Sequence, residues 1–131
     1  MAAADDVHHI PPSARTEADP TPGMVREQAI AGAGLWAGLV TTEAGMTSGW
    51  HHHGGHETSI YVASGRLRLE FGAGGTGVVE AAAGDFVHVP AGAVHREGNP
   101  GAAASELVVV RAGTGPVTVN VDGPAPAPSG G

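Results

Sequence analysis

The sequence contains no cysteine and no lysine, and each absence removes several kinds of functional site. Without cysteine there can be no disulfides, thiolate zinc sites, iron–sulfur clusters or cysteine nucleophiles. All six basic residues are arginine, which excludes a Schiff-base lysine and the lysine of a phosphate-binding loop. The chemistry of this chain therefore has to come from other residue types.

Basic charge and long apolar runs are scarce as well. The net charge is −7 and the acidic residues are dispersed, so nucleic acid is not an expected partner. No apolar run approaches the ~20 residues that a membrane helix needs, and no membrane association is expected. The first residues lack the charged-then-apolar layout of a secretion signal. We therefore expect a cytoplasmic protein.

The length of 131 residues suits one domain flanked by two segments of different composition. Residues 1–23 contain four prolines and no hydrophobic periodicity, which predicts a flexible N-terminal arm. Residues 123–131 are rich in proline and glycine and predict a flexible C-terminal tail, because such a segment forms neither a helix nor a sheet ladder. The folded domain is predicted over residues 24–122.

Short apolar stretches separated by glycine-rich breaks fill this central region. Leu67, Leu69 and Phe71 alternate with charged neighbours, as on a half-buried strand. Further strands are predicted at 60–63, 78–80, 86–89, 107–110 and 117–121. No stretch has the 3.6-residue stripe of an amphipathic helix. Many short strands at this spacing predict an all-β antiparallel sandwich or barrel.

Two stretches within this region carry residues that can bind a metal ion. The first reads Gly45-x5-His51-x-His53-x3-Glu57, and the second reads Gly84-x5-Pro90-x-Gly92-x2-His95-x3-Asn99. Side chains two apart on a strand share a face, so His51 and His53 can point at one atom while His52 points away. Two such imidazoles, a nearby carboxylate and a distant third imidazole can make a mixed nitrogen and oxygen metal site with positions open for substrate.

The two stretches closely resemble the signature motifs of the cupin family. The resemblance implies an antiparallel jelly-roll barrel, also called a double-stranded β-helix, in which His51, His53, Glu57 and His95 hold one divalent transition metal ion per chain. The second motif matches the family pattern completely. The first departs from it, because seven residues separate Glu57 from Gly65 where the pattern has six.

This departure leaves the fourth metal ligand open. A one-residue bulge would keep Glu57 on the metal, and bulges are common beside active sites. Counting back from Gly65 instead puts Thr58 in the place of the carboxylate, which would leave a three-histidine site. His56 is a further possibility, because it shares strand parity with Thr58. We favour Glu57.

Other residues are candidates for the surroundings of the metal. His56 and His88 are the two candidate catalytic groups next to it, although His88 also fits an exposed polar position. Arg68, Arg96 and Arg111 could hold a carboxylate substrate, but the alternation around Arg68 favours a solvated face. The candidates for the wall of the substrate pocket are Trp50, Thr58, Tyr61 and Phe86.

A metal centre of this kind leaves two octahedral positions free for a small organic substrate, or for substrate and dioxygen together. Iron(II) or manganese(II) is favoured, while nickel, copper and zinc also suit the ligands. The predicted function is a metal-dependent cupin acting on a small organic molecule, either a non-haem iron or manganese oxygenase or a metal-assisted isomerase. The alternative is a non-catalytic metal-containing module that binds or senses a small molecule. A substrate-sized pocket open to the metal would separate the two.

A homodimer is the expected assembly. Cupins similar to this chain commonly pair through the outer sheet of the barrel, and exposed strand edges need covering. Residues 24–40 are predicted to contribute to the interface. Leu35 and Leu39 lie in this segment, and the valines of 117–121 are expected on the same sheet.

Overall fold

The computed structural model describes residues 6–126, and within them the chain folds almost entirely into strands. These are β1 (Thr16–Thr21), β2 (Met24–Ala31), β3 (Leu35–Thr42), β4 (His51–His52), β5 (Glu57–Ser64), β6 (Arg66–Phe71), β7 (Gly77–Ala82), β8 (Phe86–Val89), β9 (His95–Gly98), β10 (Ser105–Ala112) and β11 (Val119–Asn120). Two short 3₁₀ turns, Pro12–Ala14 and Ala73–Gly75, complete the described elements. Across residues 6–126, no helix has the length and apolar character that crossing a bilayer requires.

The strands form two antiparallel sheets, which confirms the predicted jelly roll. The six-stranded sheet has the order β1-β2-β3-β10-β5-β8, and the five-stranded sheet has the order β11-β4-β9-β6-β7. The chain crosses from one sheet to the other at Gly65, between β5 and β6. Its φ is +81°, and a Cβ there would lie 2.8 Å from the Cα of Ser105, so the turn requires glycine.

Alternation along the strands places one row of side chains between the sheets. On β10 the buried positions are Ser105, Leu107, Val109 and Arg111. The apolar members of this row join the core, and burial of each valine or leucine contributes roughly 1.5–3 kcal/mol. The core consists of Met24, Val40, Ile60, Val62, Leu67, Leu69, Ala81, Val89, Leu107 and Val109. At the Arg111 end of the row the interior becomes polar.

Part of the predicted N-terminal arm requires correction, whereas the flexible C-terminal tail stays a prediction. Residues 12–21, predicted as part of the arm, contain a 3₁₀ turn and β1, which pairs with β2 along the edge of the six-stranded sheet. Pro20 fits there because it lies in the irregular part of β1, where a missing N–H interrupts no regular ladder. At the other end, the carbonyl of Ala125 accepts a hydrogen bond from the N–H of Gly74 (2.8 Å). The rest of both segments, residues 1–5 and 127–131, lies outside the described residues.

Candidate metal site and its surroundings

Three histidines from the two sequence motifs meet in the interior. His51 lies on β4 directly opposite His95 on β9, and His53 follows β4. Each side chain is buried, and one ring nitrogen from each of the three lies within 4.8 Å of the others. The structure therefore brings together the three imidazoles that strand parity and the second motif predict, in a group that could hold a metal ion.

Backbone carbonyls fix the orientation of all three rings. The Nδ1 atoms of His51, His53 and His95 lie 2.9, 2.7 and 2.9 Å from the carbonyl oxygens of Gly49, Val117 and Ala93. A carbonyl can only accept a hydrogen bond, so in each neutral ring Nδ1 carries the proton and Nε2 keeps its lone pair. Metal-binding histidines are typically held in this way, with one nitrogen anchored and the other free.

The surroundings also keep the imidazoles of His53 and His95 neutral. The pKa of His53 is lowered to about 3, first by burial and then by the positive charge of Arg111, against a raising effect of the hydrogen bond to Val117. Burial likewise lowers the pKa of His95. Because the neutral imidazole is the form that binds a metal ion, both rings are ready to do so at neutral pH.

Glu57, the favoured fourth ligand, does not lie with the histidines, and this prediction needs correction. Its side chain is 64% exposed, and its carboxylate interacts with His88 Nε2 at 2.5 Å. The expected bulge at Glu57 is absent, since β5 pairs regularly with β10 from Glu57 onward. The extra residue is accommodated at Ala63, which is left without a partner between Val62 and Ser64. The bulge therefore lies too late in the strand to re-aim Glu57.

Thr58 takes the inward position instead. It is buried, and its Oγ1 has no hydrogen-bond partner among the described residues. His56 is also buried, but its Nδ1 lies 3.1 Å from the carbonyl of His53 and it is not part of the three-histidine group. Of the alternatives for the carboxylate position, the one reached by counting back from Gly65 matches the structure.

Glu97 is a half-buried carboxylate that the sequence motifs did not identify. It lies on β9 two residues after His95 and therefore faces the same way. Its side chain is 12% exposed, and its Oε1 lies 4.0 Å from His51 Nε2. The spacing His95-x-Glu97 was a usable signal, because it has the same strand parity as His51-x-His53.

A cavity of about 510 Å³ reaches the histidine group at His95. Its wall is mainly apolar and includes Leu69, Val87 and Val89, with Pro124 and Ala125 closing one side. His88 also borders the cavity, but its Nε2 is engaged by the outward-facing Glu57. The cavity thus combines a metal-ligating group at one point with apolar walls elsewhere.

Three of the predicted pocket residues lie elsewhere. Tyr61 and Phe86 stack on each other with ring centroids 4.9 Å apart, on the outward side of the six-stranded sheet, and Phe86 is 75% exposed. Parity explains this, because Tyr61 alternates with the buried Ile60 and Val62. Trp50 packs under the guanidinium of Arg96 at 4.7 Å and borders neither of the described cavities. Only Thr58 of that set faces the interior.

Comparison with known proteins agrees with this architecture. The cupin domain profile matches residues 38–111, more than half of the chain. The chain therefore belongs to the cupin family, as its motifs predict. No protein of curated function matches the sequence.

Solved structures with the same fold come from several bacteria. An uncharacterised double-stranded β-helix protein of Klebsiella pneumoniae has a TM-score of 0.67 and 22% identity, over 79% of this chain and 89% of the other. KdgF of Halomonas sp. has a TM-score of 0.68 and 17% identity, over 83% and 96%. Bacillus subtilis oxalate decarboxylase, which has Mn(II) centres, has a TM-score of 0.70 and 22% identity, over 81% of this chain but 30% of its own. At these identities the similarity is one of fold.

Proposed function

We propose that this chain is a metal-dependent cupin oxygenase in which His51, His53 and His95 hold one iron(II) or manganese(II) ion beside a small organic substrate. The observation that carries the proposal is the anchoring that the three rings share, through Nδ1. Each Nδ1–H donates a hydrogen bond to a backbone carbonyl, so the three Nε2 lone pairs remain free within one buried group. Three neutral imidazoles suit a first-row divalent ion.

Glu97 supplies the carboxylate that Glu57 does not. Its oxygen lies 4.0 Å from His51 Nε2, on the face that His95 also presents. A small closure of the four side chains would let this oxygen and the three nitrogens share one ion. The bound ion would supply Lewis acidity and, as iron or manganese, a redox centre for dioxygen chemistry.

The cavity supports an enzyme over a sensor module. Its volume of about 510 Å³ is in the range of small-molecule sites, and it reaches a proposed metal ligand directly. The apolar walls support oxygenation over isomerisation, because an isomerase needs a positioned base. Of the ionisable groups that border the cavity, His88 is engaged by Glu57, and His95 is a proposed metal ligand.

Elemental analysis of protein purified without a His tag tests the first half of the proposal. We expect about one equivalent of iron or manganese per chain. Full metal occupancy in both His51→Ala and His95→Ala would refute the assignment.

Oxygen consumption tests the second half. The iron-loaded protein is screened with small organic compounds in an oxygen electrode, with His95→Ala as the control. Substrate-dependent uptake that the variant lacks supports an oxygenase. Turnover of a compound without oxygen uptake would instead identify a metal-assisted isomerase, and metal binding without any turnover would identify a binding module.

A further inference from the structure

Arg111 is a buried cation without an ion-pair partner among the described residues. Its side chain is 7% exposed, its Nε has no hydrogen-bond partner, and no ion pair among the described residues includes it. The five other arginines each donate to a carboxylate, a hydroxyl or a carbonyl. A buried, unpaired charge is strongly unfavourable, so such groups are retained where something else pairs with them.

The strand register places Arg111 beside the inward-facing Thr58. The two residues are directly opposite on β10 and β5, and Trp36 is opposite Arg111 on β3. The Cζ atom of Arg111 lies 4.9 Å from the centroid of the Trp36 ring. The indole N–H of Trp36 donates a hydrogen bond to Gln28 Oε1 (2.9 Å). Trp36 therefore fixes one face of the guanidinium and leaves its edge, where the N–H groups are, for another group.

Thr58, like Arg111, has a buried polar atom without a hydrogen-bond partner among the described residues. In Thr58 this atom is Oγ1, so two residues that pair across the strands each have a buried polar atom without a partner. Thr42 and Ser105 also have unpaired buried hydroxyls, but they face each other at the opposite end of β10.

The charge of Arg111 indicates the sign of the absent group. No ion pair among the described residues neutralises the guanidinium, although the side chain is buried. A divalent ion on the histidines would add further positive charge to the interior. The group that would complete this part of the site is therefore an anion.

We propose that Arg111 and Thr58 bind a carboxylate of the substrate, so that the site takes a small organic acid. The guanidinium edge would donate two parallel hydrogen bonds to the carboxylate, a geometry that lysine cannot reproduce. The hydroxyl of Thr58 would donate a third. This inference rests on the proposed function, since it names the substrate class for the same histidine group. Arg111 and Thr58 line neither of the described cavities, so a substrate in the cavity at His95 would have to extend beyond it to reach them.

Calorimetric titration with malonate tests this assignment, with malonamide as the uncharged counterpart. The full chain is titrated in its Mn²⁺-loaded and metal-free forms, as wild type and as Arg111→Gln, Arg111→Lys and Thr58→Val. Arg68→Gln is the matched control, because Arg68 is paired with Glu70 and Glu80 on the partly exposed face of β6.

We expect Arg111→Gln to weaken malonate binding at least about tenfold, as for loss of a charged hydrogen bond, and Thr58→Val to weaken it a few-fold. Arg111→Lys should be intermediate, Arg68→Gln should match the wild type, and all variants should keep the metal. Malonamide should bind weakly to all of them. The ligand-free Arg111→Gln protein should also melt at a higher temperature, since an unpaired buried charge is removed.

Malonate binding of wild-type strength in Arg111→Gln would overturn the proposal. Should that variant not fold, wild-type affinity in both Arg111→Lys and Thr58→Val would do the same. If the wild type takes up no metal, the proposed function fails, and the metal-free titration still decides whether Arg111 binds carboxylates.

Discussion

The two sheets that form the walls of the barrel interior differ in how their polar side chains are hydrogen-bonded. On the five-stranded sheet, His51 and His95 are each anchored by a backbone carbonyl, and Glu97 lies beside His51. On the six-stranded sheet, Thr58 and Arg111 have buried atoms without a hydrogen-bond partner in residues 6–126. Side chains that the protein orients itself suit a permanent ion, whereas unpaired ones suit a ligand that arrives and leaves. This difference supports the proposal that the metal binds on one wall and the carboxylate of the substrate on the other.

The largest expected effect is the loss of the metal when a histidine of the five-stranded sheet is replaced. Replacing His51 with Ala should reduce the metal content from about one equivalent per chain to background, because one of three imidazoles is removed. The apolar core should keep the variant folded, as circular dichroism can check. His52→Ala is the matched control, since His52 accepts a hydrogen bond from the Gly54 N–H and is not in the histidine group. Equal metal loss in both variants would contradict the assignment.

The next effect separates the two glutamates. Glu97→Gln should weaken metal binding by roughly 10–100-fold, as is typical when a group beside a metal is altered. Glu57→Gln should leave the affinity unchanged, because its carboxylate is exposed on the outer face. Titration against a competing chelator measures both constants. The reverse order would restore Glu57 as the fourth ligand.

The fold could be predicted from sequence because its two determinants are local. The two-residue alternation of strands such as β6 is visible without any partner, and so are the glycine-rich breaks between strands. Strand β1 was not predicted, because it is ordered by pairing with β2. A proline-rich sequence gives no sign of such pairing. Edge strands tolerate such residues when a neighbour supplies the ladder.

The residues of the site also divide into those that local sequence predicts and those that depend on strand pairing. His51, His53 and His95 could be predicted from parity and from the second motif, whereas Glu57 was predicted wrongly. Sequence shows that one extra residue exists before Gly65, but not where the strand absorbs it. That position depends on pairing with β10, a strand more than forty residues later. Glu97 could have been found from its parity with His95.

A stability change with pH should follow from the buried imidazole of His53. Its pKa is lowered to about 3 in the folded protein, against 6.5 for the unperturbed group. The unfolded chain therefore binds a proton that the folded one does not, and stability falls as the pH is lowered from about 6.5 towards 3. Denaturant unfolding of the metal-free protein measures this slope. His53→Gln should flatten it, and an unchanged slope would mean that other groups cause it.

The outer face of the six-stranded sheet should carry the subunit contact. Leu35, Val108 and Phe86 are exposed there, and Val108 pairs with Tyr61 and Leu39 across the strands. Covering these side chains favours a homodimer that includes residues 24–40, as the sequence predicts. Light scattering should therefore return twice the chain mass of 12.9 kDa. Phe86→Ser should shift the mass towards one chain without altering the metal content, and a wild-type monomer would contradict the prediction.

The smallest expected effect concerns Thr58, on the six-stranded sheet. Thr58→Val keeps the shape of the side chain and removes an unpaired buried hydroxyl, so the ligand-free protein should gain about 1 kcal/mol of unfolding free energy. Thr42→Val should give a similar gain, because its hydroxyl is also buried and unpaired. Saturating malonate should then separate the two variants. The ligand uses the hydroxyl of Thr58, so the advantage of Thr58→Val should shrink or reverse, while that of Thr42→Val persists. Equal advantages with malonate present would show that Thr58 takes no part in binding.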